Sequence, residues 1–517
     1  MTKKTRYSLL TVLTVSILIL AAVYWVNNSI KNKVEHFINN RLTETIVQSY
    51  DDLSLNVLEG TLTFSNVSVA IKNKDSEVIH TQVNLNKLVI TDISYWQYLV
   101  HNTIHIDHIS LKNPTIRYKE NLLKASKDTT KKPMLTLFKP IEIDEISIEN
   151  ATLQITEDEQ NTIKLYTENA SVAVKGISIT SETLLKRLPV TFESYEAEAD
   201  SIFVKMNAFE NLSANNFVLK NKKATLTDII LKTKYSKTKL SEVIQNERDY
   251  YDVQLKTLTV DGIDFGFKNR KFFAKSTAIT LDTPSALIFR DKLVADDPTH
   301  KKLYSRALRE VPFDLSIDAV KIKNGTITYQ ERTKKNNLGG TLLFKSLDAD
   351  IKNINNTSEG NSTTTIAIKA LFMKDTPFTV DWSFDIQDVS DHFTFKTSIG
   401  ALEASDLNPF TEANLRVRLT GKVLKTYVTI DGNRNASHSD MKINYNDFKI
   451  AILNKSGREK NKLLSTIANL FVSKNSKNEG YSESAITATP DKTKSFFNYI
   501  WVNIMAGLTE SLTGGGL

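Results

Sequence analysis

The sequence predicts a mainly β protein, with a transmembrane helix at its start and amphipathic helices at its end. Three observations carry this. After about residue 50, apolar and polar residues alternate through most of the chain, the period of a strand with one apolar face. The stretch "YSLLTVLTVSILILAAVYWV", Tyr7 to Val26, holds no charge. Near the other end, the spacing of apolar residues changes to that of a helix.

The uncharged stretch comes first. Its 20 residues match the length a helix needs to cross a hydrocarbon core of about 30 Å. Lys3, Lys4 and Arg6 precede it, so the positive-inside rule places the N-terminus in the cytoplasm. Tyr24 and Trp25 stand where an outer aromatic belt belongs. A cleaved signal peptide is the competing reading, but its apolar region is shorter, and here the run continues through Val23, Tyr24 and Trp25. The following residues, Asn27 to Ile46, space Ile30, Val34, Phe37 and Leu42 as a helix does. They predict a stalk over 27–50.

The β body follows. "LNVLEGTLTFSNVSVAI" alternates at Leu62, Phe64, Val67 and Val69, and "TQVNLNKLVITDI" at Val83, Leu85, Leu88 and Ile90. Within this body one phrase recurs: "IHIDHISLKNPTIRY" from Ile104, "IEIDEISIENATLQI" from Ile141 and "LSIDAVKIKNGTITY" from Leu315. Each has apolar residues at offsets 0, 2, 5, 7, 12 and 14, an Ile-Asp pair (Asp107, Asp144, Asp318), an Asn (Asn113, Asn150, Asn324) and a Thr two residues on. A looser copy starts at Val253 with Leu255, Leu258, Val260, Phe265 and Phe267. The step from offset 2 to 5 is odd, so the strand must change face, as a β-bulge allows. The Asp falls at that bulge, and the Asn is expected to open a turn. The unit is then strand, bulge, strand, turn, strand. The copies have no fixed period, which argues against a regular propeller or solenoid. The apolar positions of the copies are the candidate wall of a binding surface: Ile104, Ile106, Ile109, Leu111, Ile141, Ile143, Ile146, Ile148, Leu315, Ile317, Val320 and Ile322.

Chemistry is scarce. The chain has no cysteine, so disulfides, thiolate metal sites and thiol catalysis are excluded. The net charge of +7 comes from 66 basic and 59 acidic residues with no dense basic block, which argues against nucleic acid as a partner. No phosphate loop, zinc helix or nucleophile elbow is present. His101, His105 and His108 lie close in sequence, but His108 has the opposite strand parity and the spacing matches no closed histidine site. The shared Asp residues read as structural. No catalytic residue, cofactor or metal is expected.

At the end, "KLLSTIANLF" and "SFFNYIWVNIMAGLTESL" carry apolar residues at helical spacing, the second through Phe496, Phe497, Ile500, Trp501, Ile504 and Leu508. The polar "SKNSKNEGYSESAITATPDK" between them reads as a connector. The last helix could lie on a membrane, but packing on its own sheet, where it would cover an edge, is the preferred reading. The predicted organisation is a cytoplasmic tip at 1–6, an anchor at 7–26, the stalk at 27–50, a repeated β domain at 51–455, and a helical cap and tail at 456–517.

An anchoring helix followed by long one-faced β structure resembles the AsmA-like family of Gram-negative envelope proteins, related to TamB and YdbH. "LNVLEGTLTFSNVSVAI" and "LVITDISYWQYLVHNTIHIDHISLKNPTIRY" are similar to the family's opening strands. "LIFRDKLVADDPTHKKLYSRALREVPFDLSIDAVKIKNGTITYQE" and "SHSDMKINYNDFKIAILNK" resemble its uncharacterised Bacteroidota-type branch. The resemblance implies a long, curved antiparallel sheet folded into a U-shaped apolar groove. It implies an inner-membrane protein with its body in the periplasm, and phospholipid and membrane as partners. The expected function is to handle or conduct phospholipids between inner and outer membrane. The alternative is an envelope scaffold that binds an outer-membrane or periplasmic protein and assists outer-membrane protein assembly. An open face of aliphatic side chains favours the first; large aromatics closing a dry core favour the second.

Overall fold

The computed structural model describes residues 45–513 apart from 57–58, 74, 95–96, 98–99, 124–138, 336, 358–361, 455–474 and 477–479; before residue 45 it describes only 28–29, 31–32 and 35–36. The expected anchor with Lys3, Lys4, Arg6, Tyr24 and Trp25, and the helix expected over "KLLSTIANLF", lie outside the described residues. No helix among the described residues is long and apolar enough to cross a membrane.

The structure is mainly β and divides into two compact units, Met1–Met206 with Ser213–Asn221, and Asn207–Leu212 with Lys222–Leu517. The first holds β1 (Ile46–Ser49), β2 (Asp52–Asn56), β3 (Thr61–Lys72), β4 (Ile79–Ile93), β5 (Ile104–Lys112), β6 (Thr115–Lys119), β7 (Ile141–Thr156), β8 (Ile163–Ile179) and β9 (Ser194–Lys205). Strand β10 (Glu210–Lys220) straddles the division. The second unit runs through β11 (Lys223–Thr233), β12 (Asp249–Asp261), β13 (Asp264–Lys268), β14 (Lys271–Ser276), β15 (Ala278–Asp282), β16 (Ser285–Asp291), β17 (Asp314–Arg332) and β18 (Gly340–Asn355). It continues through β19 (Thr363–Phe372), β20 (Thr376–Asp385), β21 (Phe393–Ile399), β22 (Leu402–Glu403), β23 (Val417–Gly432), β24 (Ser437–Ile452) and β25 (Ser482–Ala488). Its described helices are α1 (Lys237–Val243), α2 (Tyr304–Arg309) and α3 (Phe496–Thr513), with a short helical segment at 404–415.

Most neighbours are antiparallel, but the sheet is mixed, which corrects the expectation of a purely antiparallel one. Strands β5 and β6 run parallel to β7, with Ile104↔Ile141, Ile109↔Ile146 and Ile116↔Leu153 in register. The first two copies of the phrase therefore lie side by side. Strands β14, β15 and β16 run parallel to β17, with Ala274↔Leu315, Ile279↔Val320, Leu281↔Ile322 and Ile288↔Tyr329. Residues 274–288 thus hold a further copy, masked in the sequence by Ala274, Ser276 and Ala286 at apolar offsets. Parallel neighbours need a crossover, and residues 292–313, with α2, make it for the second pair.

In the second and third copies the Asn opens no turn, whereas in the first Asn113 and Pro114 separate β5 from β6. Strands β7 and β17 run through it unbroken. Asn113, Asn150 and Asn324 all take left-handed φ, of 52°, 53° and 50°, a conformation Asn tolerates better than most residues. The register shifts there, between Ile148 and Ala151 and between Ile322 and Gly325. This is a bulge, and it supplies the second odd step, from offset 7 to 12. The two sets share their backbone bonds: Asn113 N–H to Glu149 O (2.9 Å) and Thr152 N–H to Pro114 O (2.8 Å) match Thr283 N–H to Lys323 O (2.8 Å) and Thr326 N–H to Pro284 O (2.7 Å). At the Asp the face changes without loss of register. Ile143↔Ile177 and Glu145↔Lys175 stay aligned across it. The residue facing Asp144 is Gly176, at φ 64°, so both strands change face together.

Two stretches are strands where the sequence predicted otherwise. Ile46 pairs with Ile71 in β3, so the end of the expected stalk belongs to the sheet. The polar connector contains β25, which pairs with β24 from Ser437↔Ala488 to Ile443↔Ser482. Its inward residues Ser482 and Ser484 are buried but polar, so apolar alternation could not reveal it.

Helix α3 forms as its spacing predicts. The Ser495 hydroxyl accepts the Asn498 N–H (3.3 Å), as an N-cap does. It lies on the sheet through Phe496, Tyr499 and Ile500, in one cluster with Val380, Trp382, Phe384, Phe393, Phe395, Val428, Ile430 and Met441. Each such side chain contributes about 1.5–3 kcal/mol on burial.

Candidate functional site

Residues directly opposite across a sheet share a face, so the register traces rows. One row of the second unit runs Leu226, Leu258, Leu281, Ile322, Ala349, Ile368, and on through Val380, Thr397, Val428 and Met441. The next runs Val260, Ile279, Val320, Ile351, Ile366, and on through Trp382, Phe395 and Ile430. Up to β17 every member of both rows is half-buried. From β20 on they are buried, with Ile430 at 0% and Val428 and Met441 at 2% exposure, because α3 lies over them. The half-buried part is aliphatic, while the covered part holds Trp382 stacked on Phe496 with centroids 4.5 Å apart.

The first unit repeats the arrangement. Ile93, Ile106, Ile143 and Ile177 form one row, and Ile90, Ile109, Ile146 and Val174 the next. Ile104, Ile106, Ile109, Ile141, Ile143 and Ile146 belong to one cluster, so the odd step does keep offsets 0, 2 and 5 on one face. Of the twelve candidate wall residues, Ile106 and Ile143 are buried. Leu111, Ile148, Leu315, Ile317, Val320 and Ile322 are half-buried, as are Ile104, Ile109, Ile141 and Ile146.

Further along β12 and β17 the same face turns polar. Asp249 stands opposite Arg290, and Arg290 opposite Glu331. Arg290 Nε donates to Asp249 Oδ1 (2.7 Å), Tyr251 to Asp249 Oδ2 (3.3 Å) and Tyr329 to Glu331 Oε2 (2.8 Å). Burial first, then the Asp249 charge, pushes the Tyr251 hydroxyl up to about 12. Burial and Glu331 raise Tyr329 further. None of these tyrosines ionises near neutrality, so the rung is a fixed network of hydroxyls and paired charges.

A second network fastens the approach to α3. Glu247 is buried, with Lys292 at 2.8 Å, Lys494 at 3.0 Å and Arg290 at 3.7 Å. Burial opposes its charge, but the lysines outweigh burial and hold its carboxyl below the usual range. Lys494 also meets Asp296 at 2.8 Å. Inside α3, Asn503 is fully buried. Its Nδ2 donates to Tyr499 O (2.9 Å), and its Oδ1 accepts from Ser437 (3.0 Å).

The three clustered histidines do not form a site together. His108 Nε2 meets the Ser147 hydroxyl at 2.9 Å. His105 instead sits between carboxylates, with Nε2 3.3 Å from Asp107 and 3.6 Å from Asp144. Parallel pairing of the copies brings Asp144 there, 39 residues from His105 in sequence, which strand parity alone could not show.

Neither a family model nor a curated protein matches the chain.

Proposed function

We propose that the protein is an inner-membrane-anchored, periplasmic AsmA-like protein that handles phospholipids between the two membranes of a Gram-negative envelope. The observation that carries this reading is the half-buried aliphatic part of the rows, from Leu226 and Val260 to Ile322 and Val320. Such a face is stabilised by apolar cover, and acyl chains supply it without any titrating group. The polar rung at Asp249, Arg290 and Glu331 gives the face a polar end, as an amphiphile requires. In this reading the sheet curves into an open groove, the N-terminal stretch is the anchor, and no cofactor or catalytic residue takes part.

The aromatic, helix-covered part favours the alternative reading. A dry core of Trp382, Phe393, Phe395 and Phe496 fits a scaffold that presents its outer surface to an envelope protein, as the alternative reading requires.

The test is mass spectrometry of lipid carried by the full chain purified in detergent, against Ile146→Glu and Ile322→Glu together. Phospholipid that co-purifies with the wild type and is lost from the folded variant supports the reading. A lipid-free wild type removes it and leaves the scaffold.

A further inference from the structure

Residues 264–275, "DFGFKNRKFFAK", make a hairpin of β13 and β14. Its two-residue turn is Asn269–Arg270, both left-handed at φ 51° and 66°, the turn whose twist matches paired strands. The hairpin overhangs its sheet. On one side β11 pairs with β12 only as far as Ala224↔Val260. On the other, β17 joins β14 only from Phe273↔Asp314. From Asp264 to Phe272 the strands pair only with each other among the described residues.

What the overhang displays is unusual for a surface hairpin. Phe267 faces Phe272 with centroids 5.5 Å apart, and Phe265 lies on the same side opposite Ala274. Phe265 and Phe267 are 45% and 44% exposed. Lys268 and Lys271 stand directly opposite each other on the last rung, a repulsive placement for like charges. Arg270 occupies the turn, and Lys275 lies below, against a single acid of the hairpin, Asp264. Lys271 meets Asp314 at 2.5 Å, and Lys268 and Arg270 lie exposed at the tip.

We propose that this hairpin docks on an anionic lipid surface, with Phe265 and Phe267 at the headgroup level and Lys268 and Arg270 on lipid phosphates. Aromatic rings favour the membrane interface, and basic residues are drawn to anionic headgroups. The two together at a protruding tip supply the paired signals that reversible membrane contact needs. The proposal does not depend on the rows carrying lipid; it adds a contact with a bilayer far in sequence from the expected anchor.

The chain has no cysteine, so Asn269→Cys takes one environment-sensitive dye at the tip. The labelled full chain, held in nanodiscs of neutral phosphatidylcholine, is mixed with vesicles of phosphatidylcholine, with or without phosphatidylglycerol. The expected result is a blue shift with the phosphatidylglycerol vesicles only. Lys268→Glu with Arg270→Glu lowers the apparent affinity by about thirtyfold or more. Phe265→Ser with Phe267→Ser abolishes the blue shift. Dye silence towards anionic vesicles, an equal response to neutral ones, or a response unchanged in the charge variant overturns the proposal. Co-purified phospholipid, measured on the same samples, reports the rows separately, so either idea can fail alone.

Discussion

Leu281 and Val428 belong to one row of one sheet, yet one is half-buried and the other 2% exposed. The strands that carry them differ in the same way. Strand β24 alternates sharply between buried and exposed, and β20 and β21 alternate between buried and intermediate or exposed. Strands β15 and β17 show neither state clearly, and most of their residues are intermediate. Chemistry follows cover: the half-buried part of the rows is aliphatic, and the aromatic members, Trp382 and Phe395, lie in the part that α3 covers. A helix laid on a sheet face converts it into a core.

The largest expected effect lies under the helix. Ile430→Ala removes a fully buried side chain and should cost about 3–4 kcal/mol in urea denaturation. Glu247→Gln leaves Lys292 and Lys494 facing a neutral group and should cost about 3 kcal/mol, with faster hydrogen exchange in α3. The same link predicts acid sensitivity. Because the folded carboxyl sits below its usual 4.5, its contribution is full above that pH and is lost as pH falls through the depressed value. In Glu247→Gln that portion of the acid transition should disappear. Gly507→Val drives a Cβ to within 3.0 Å of Met441 Cε, and overpacking there should cost about 2 kcal/mol in thermal unfolding. Ile322→Ala, in the half-buried part of the row, should cost about 1 kcal/mol. Equal losses at Ile322 and Ile430 would erase the contrast between the two regions.

Much of this was legible. The alternation of β3, β4 and β7, the shared face of the copies and helix α3 follow from period alone. The pairing of the copies was not, because parallel register depends on a crossover whose path the sequence does not encode locally. The copy at 274–288 was hidden by Ala274, Ser276 and Ala286, which hold inward positions without being strongly apolar. Strand β25 escaped for the same reason, since Ser484 is buried by a bond to the Gly507 carbonyl (3.0 Å) and by Ser511 (3.0 Å), not by hydrophobicity. Asn serves both breaks, as at Asn113, and left-handed bulges, as at Asn150 and Asn324, and only the neighbouring strand decides between them.

The position of α3 at the end of the chain sets an order of events. Strands β11 to β18 can pair with one another as soon as residue 355 has emerged. Trp382, Phe393 and Ile430 must wait for residues 496–513, more than a hundred residues after the first of them is made. Until then a strongly aromatic, unsatisfied sheet stands open. That interval is when a holding chaperone has most to bind, and a chain cut short before α3 would be left permanently in it.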